Sequence, residues 1–159
     1  MESTATLWVY LIFAYIVGAI QTSSQRSWYD GLNPVKIPPV VFFVVWTILY
    51  IMIGILWSRS NNTSVVVDSL FPVLVFAIGI WPFIFFGMKS IIGGLLCIVS
   101  IILITFFLMK EYIQNVGSEG YWMLILLGWL FVAFYLNYRI LSNEHIYMFS
   151  CPQDDLHSR

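Results

Sequence analysis

Charge is scarce in this chain. Only 9% of its 159 residues are Asp, Glu, Lys or Arg, and seven basic against eight acidic residues leave a net charge of −1. A near-neutral chain has no electrostatic footprint for phosphate backbones, so no nucleic acid is expected as a partner. Cysteine is scarcer still. Cys97 and Cys151 stand alone, too few for a disulfide framework and not spaced as a metal pair. The two histidines, His145 and His157, fall in the polar C-terminal stretch. With no His-x-x-x-His or Glu-x-x-His spacing, no metal site is expected. A nucleophile elbow and a phosphate loop are also missing. What remains is apolar: 60% of the residues are hydrophobic and the mean hydropathy is +0.89. A soluble domain of this size lacks the interior to hide so much. In lipid each backbone polar group must be satisfied within the structure, which leaves helices as the economical answer for long apolar runs.

The chain therefore reads as an all-α integral membrane protein, a bundle of five transmembrane helices. The spans fall at about residues 5–22, 40–57, 70–87, 91–109 and 121–141, each near the length that crosses a bilayer core. Residues 1–141 form the membrane domain, and 142–159 are a polar tail expected to fray or lie along the surface. The first run could be a cleaved signal peptide, but it lacks a basic leader, since Glu2 is the one charge before it. It is kept as a span. Five spans put the termini on opposite faces. Arg26, Lys36, Lys89, Arg139 and Arg159 fall on the C-terminal side, and Arg59 and Lys110 on the other. That imbalance places the C-terminus in the cytoplasm. No charged residue lies in the middle of a span, which argues against a pump or an ion-coupled transporter.

The most informative stretch is Trp28 to Gly54, WYDGLNPVKIPPVVFFVVWTILYIMIG. Pro38 and Pro39 suit a helix start, where an N–H would go unused. Trp46, Tyr50 and Gly54 recur at i, i+4, i+8 and so share one helix face. Trp8, Trp57 and Trp122 lie near span ends, as interfacial tryptophans do, whereas Trp46 and Trp129 lie deeper. Two more stripes have helical spacing: Leu74, Ile78, Trp81 and Phe85, and then Trp129, Ala133 and Asn137. Pro82 should kink the third span. Gly93-Gly94 should let another helix come close. The stripes suit ordinary bundle packing or the wall of an aromatic cavity.

WYDGLNPVKIPP followed by VWTILYIMIG resembles the signature of the TspO/MBR family, the tryptophan-rich sensory proteins and translocator proteins. WPFIFFGMK (81–89) and WLFVAFYLN (129–137) agree with it, in the same order and with the same span count. The resemblance implies a compact five-helix bundle, often a homodimer, with a pocket that opens toward the loop between the first two spans. It implies a membrane receptor or carrier for porphyrins such as protoporphyrin IX and haem, with sterols as a second ligand class. The porphyrin or haem is a ligand, and no cofactor is required. An alternative is light-dependent breakdown of the porphyrin, with Trp46 and Trp129 as the candidate catalytic residues. A third reading is a non-catalytic protein that regulates other membrane proteins. The pocket residues carried over by the resemblance are Tyr29, Pro38, Trp46, Tyr50, Trp81, Phe85, Trp129, Ala133 and Leu136, with Ile78 at a departing position. The ligand's carboxylates would sit near Arg26 or Lys36. Val132, Tyr135 and Arg139 fit the loose sterol-contact pattern.

The chain departs from the family at several points. Leu74 and Ile78 replace a usual Gln and Asn, Lys36 replaces a Trp, and Ile125 and Leu126 replace Pro-Tyr. A pocket with fewer hydrogen-bonding groups discriminates less sharply among ligands, so selectivity is expected to differ.

Overall fold

The structure, a computed structural model, describes residues 4–32, 37–60 and 63–149. Pro34, Lys36, Asn61, Asn62 and the tail beyond Phe149 lie outside the described residues. Six helices follow one another: α1 (Thr4–Ser24), the short α2 (Arg26–Gly31), α3 (Pro39–Ser60), α4 (Val65–Pro82), α5 (Ile91–Asn115) and α6 (Met123–Phe149). Among the described residues, five helices are long and apolar enough to cross a membrane, as expected. α2 lies in the loop between the first two.

Hydropathy marks the middles of these helices and misses their ends. α4 starts at Val65, ahead of the expected Leu70. Ser64 accepts a hydrogen bond from the Val67 amide, and Asp68 in the first turn favours the positive end of the helix. α5 runs on to Asn115 through a stretch expected to be a polar loop. The reason is Tyr112, which is fully buried and donates its hydroxyl to the Leu56 carbonyl at 3.2 Å. α6 likewise continues to Phe149, past the start of the expected tail at Ser142.

α4 packs against α1 on one side and α5 on the other, and α5 packs against α6. α3 leans on α1 and makes little direct contact with α6. That gap is where the site forms. The α1–α3 seam is closed at its lower part by Trp8, whose indole lies against Gly54 where any side chain would collide. Higher up, the Tyr15 hydroxyl meets Thr47 Oγ1 at 2.8 Å. Thr47 donates its own proton to the Phe43 carbonyl, so Tyr15 is the donor in that pair.

Two tryptophans are not where hydropathy puts them. Trp57, expected at the membrane interface, is buried and stacks on Phe71, with ring centres 5.7 Å apart and planes 9° apart. Trp8 packs between helices on Gly54, as above. Trp122 remains half exposed, with the Arg59 guanidinium 5.9 Å from its ring, as an interfacial residue should be.

Pro82 does more than kink its helix. Its missing N–H is followed by one wide turn of π-helix from Phe83 to Gly87, closed by the Met88 amide donating to the Phe83 carbonyl at 2.9 Å. Lys89 then takes a left-handed conformation (φ 53°) and leads into α5, capped by Ser90, whose side chain accepts from the Gly93 amide.

Candidate ligand-binding cavity

A cavity of about 510 Å3 lies at the loop-one end of the bundle. Small-molecule sites commonly fall between about 300 and 1,000 Å3. α3 gives it Phe42, Phe43, Trp46 and Tyr50. The pleat of the helix explains this set: Phe42, Trp46 and Tyr50 lie at i, i+4, i+8, and Phe43 flanks them. Their rings touch in series. Phe42 and Trp46 are 6.1 Å apart, Trp46 and Tyr50 are 6.0 Å apart, and Tyr50 meets Tyr15 of α1 edge-on at 5.4 Å.

The opposite wall comes from α4 and its wide turn: Ile78, Trp81, Phe85 and Phe86. Trp81 stacks on Phe85 at 5.4 Å and is held in place by its indole N–H, which donates to the Gly94 carbonyl at 3.1 Å. Gly94 has to be glycine here, since a Cβ would stand 2.6 Å from the Phe85 ring. The close approach expected at Gly93-Gly94 is thus made by a ring rather than by a backbone. α6 contributes Ala133, Leu136, Asn137 and Ile140.

Tyr29, Asp30, Ile37 and Pro38 line the loop-one side. α2 is docked and not free: Trp28 meets Phe85 at 5.6 Å, and Tyr29 meets Phe86 at 5.7 Å. Burial, and secondarily the charge of Asp30, push the Tyr29 phenol above its ordinary value, so it stays neutral.

The polar groups of the wall are few, and some are unused. Asn137 is only 4% exposed. Its Nδ2 donates to the Ala133 carbonyl at 3.1 Å, while its Oδ1 has no partner. The indole N–H of Trp46 is also buried without an acceptor. Unpaired buried polar atoms are uncommon in folded proteins and need a reason. A site that waits for a ligand is one.

Of the residues carried over from the sequence, Tyr29, Pro38, Trp46, Tyr50, Ile78, Trp81, Phe85, Ala133 and Leu136 all line this one cavity. Trp129 does not. It is half-buried one ring behind the wall, 5.8 Å from Phe42, so Trp46 and Trp129 do not face one shared space. Val132, Tyr135 and Arg139 point the other way, onto the outer surface of α6, where Tyr135 is 53% exposed. Leu74, at one of the departing positions, is fully buried and is not part of the wall. The side chain of Arg26 lies outside the described residues, like Lys36.

Sequence reasoning missed the α1 wall entirely: Tyr15, Gly18, Ala19 and Thr22. Their spacing of i, i+3, i+4, i+7 was the available signal, but α1 is apolar on every side and no face stands out. Phe42 and Phe86 were also missed, and Asn137 was read only as part of the Trp129–Ala133 stripe.

The arrangement defines a class: a multi-pass integral membrane protein whose helical bundle is hollow and aromatic at one end. Comparison with known proteins supplies the family. The profile of the TspO/MBR family matches residues 5–142, and the chain belongs to that family. It is 29% identical over 147 residues to the tryptophan-rich protein TspO of Archaeoglobus fulgidus, covering 88% of this chain and 95% of that one. It is 30% identical over 137 residues to the tryptophan-rich protein TspO of Chlorobaculum tepidum, covering 79% of this chain and 85% of that one. It is also 28% identical over 141 residues to protein CrtK of Rhodobacter capsulatus, covering 83% and 88%.

Proposed function

We propose that this protein is a membrane receptor or carrier that holds a porphyrin, protoporphyrin IX or haem, in the cavity at the loop-one end. The observation that carries this reading is the shape and chemistry of the wall. Trp46 and Tyr50 on one side and Trp81 and Phe85 on the other enclose an apolar space of about 510 Å3. A flat tetrapyrrole needs aromatic faces for offset stacking and few polar contacts. Tyr29 and Pro38 line the space on the loop side, the end at which ligand carboxylates would meet water.

The proposed orientation puts the C-terminus, and with it the cavity mouth, on the cytoplasmic side, on the strength of the basic residues counted above. The proposed assembly is a homodimer, supported by the family resemblance. A sterol at Val132, Tyr135 and Arg139 would be a surface contact on α6, separate from the cavity.

The test is a titration of the purified protein with protoporphyrin IX, haem and cholesterol side by side. Binding shifts the porphyrin absorbance bands in the dark. Bleaching under light supports the breakdown reading instead. Unshifted bands with both tetrapyrroles overturn the proposal and favour a purely regulatory role.

A further inference from the structure

The cavity is not sealed from the side. Phe43 lines it and is nevertheless 57% exposed, far more than one face toward a cavity gives. Ala19, across the seam on α1, also lines it and is exposed. Both lie inside spanning segments, Ala19 in 6–24 and Phe43 in 39–60. Each is about a turn from the loop-one end of its span, so their outer faces border lipid near the headgroup boundary. Below them the seam is shut by the Tyr15–Thr47 hydrogen bond and by the Tyr15 ring, 5.8 Å from Phe43 and 5.4 Å from Tyr50. Above that closure α1 lines the cavity with Gly18, Ala19, Thr22 and Ser23, none of them large. Gly18 faces α4, where a Cβ would stand 3.4 Å from the Pro82 ring, so it does not reach across to α3. The phenyl ring of Phe43 is what stands in the gap.

We propose that the cavity is reached sideways from the hydrocarbon, through the α1–α3 seam between Ala19 and Phe43, with Phe43 as the gate. This rests on the porphyrin reading above and adds the route. An apolar planar ligand partitions into the bilayer, and each buried apolar group favours that phase over water. The ligand's local concentration is then highest at the seam and lowest at the aqueous mouth near Ser23 and Asp30. A flat ring can pass edge-on where a phenyl ring swings aside. Side-chain rotation of an exposed ring is fast, on the nanosecond scale, so the gate needs no helix movement.

The test measures protoporphyrin IX association and dissociation with the full chain in lipid nanodiscs and in vesicles of increasing lipid content. Phe43→Ala should raise both rates by the same factor, about tenfold, and Phe43→Trp should lower both. A gate changes the two rates together, whereas a wall residue that only holds the ligand changes dissociation alone. The association rate should follow the ligand's mole fraction in the bilayer and not its aqueous concentration. Ser23→Trp, at the aqueous mouth, is the competing variant. If it slows association while both Phe43 variants leave the rates unmoved, the lateral route is wrong. If the parent protein binds no porphyrin at all, the porphyrin reading fails first and takes this inference with it. Binding whose rates ignore Phe43 overturns this inference alone.

Discussion

The two ends of the bundle are built from the same kinds of residue and end in opposite states. At the loop-two end, Trp57 stacks on Phe71, and Phe71 meets Tyr112 edge-on at 6.2 Å. Tyr112 there donates to the Leu56 carbonyl, and Ser60 to the Asp68 carboxylate at 3.2 Å. Nothing is hollow. At the loop-one end the rings stand apart around about 510 Å3. There Trp46 and Asn137 keep buried atoms with no partner. Aromatic content alone therefore says nothing of whether rings form a core or a site. The difference lies in whether a facing helix brings a ring to fill the space. Phe71 does this for Trp57. Trp81 and Phe85, across the cavity from Trp46, stack on each other instead.

That contrast can be broken at the packed end first. Phe71→Ala should cost about 3 kcal/mol of stability, the lower part of the usual range for Phe. The transfer share of that cost shrinks in a bilayer, because lipid is as apolar as the core, and what remains is lost packing. Denaturant or thermal unfolding in detergent should show it, and porphyrin affinity at temperatures where the variant stays folded should change little. Trp57→Leu should act in the same sense. A Phe71→Ala protein as stable as the parent would mean the packed end is not packed.

Gly94→Val sharpens the boundary between the halves. The new side chain would press on the Phe85 ring, and overfilling of this kind costs roughly 1–3 kcal/mol. Phe85 would be pushed into the cavity, so both stability and ligand binding should fall. A loss of one without the other would show that Phe85 belongs to only one of the two regions.

Trp46→Leu should do the reverse of Phe71→Ala. Stacking contributes roughly 0.5–1.5 kcal/mol per ring, so porphyrin binding should weaken severalfold to about tenfold while the unfolding midpoint moves little. Trp129→Leu should have a smaller effect on binding, since its ring reaches the cavity only through Phe42. Equal losses at the two positions would put Trp129 back in the wall.

The smallest effect is expected at Tyr29. Its phenol is raised above the ordinary value of about 10 by burial and by Asp30. The docked α2 therefore keeps its full contribution from this residue below that pH. It loses that contribution as pH rises through the raised value, because the phenolate is disfavoured in the docked place. An absorbance titration of the parent against Tyr29→Phe should reveal one tyrosine titrating late. A difference spectrum centred at or below the ordinary value would show that α2 is loose.

Span number and one wall of the cavity were legible because helical spacing exposes them. Trp46 and Tyr50 on α3, Trp81 at the end of α4 with Phe85 in the wide turn after it, and Ala133 beside Trp129 on α6 are spaced at three to four residues. Trp57 was not legible. Its depth in the chain is that of an interfacial residue, and only the ring of Phe71, which comes from another helix, makes it core. Trp129 was misplaced for the same reason in reverse, since Phe42 stands in front of it. The α1 wall was hidden because α1 is apolar on all sides: lipid and neighbouring helix ask for the same residue types, so pattern cannot tell them apart. The ends of α4 and α5 were hidden because their final turns carry polar residues on the aqueous side and a single buried anchor, Tyr112 in the case of α5.

The wide turn after Pro82 also has a consequence for how this chain can change in length. In an ordinary helix adjacent residues point about 100° apart, and neighbours share an interior where the surrounding elements cover both, as Phe42 and Phe43 do here. Phe85 and Phe86 are both buried, at 1% and 4% exposure, and both reach the cavity. The wide turn carries both rings and sets the angle at which they stand to α4. The segment thus behaves as a register insert: loss of a single residue between Phe83 and Gly87 would leave every flanking helix its sequence, restore an ordinary helical turn, and change that angle. Chain length at this point, counted in single residues, sets how the two aromatic faces are aimed.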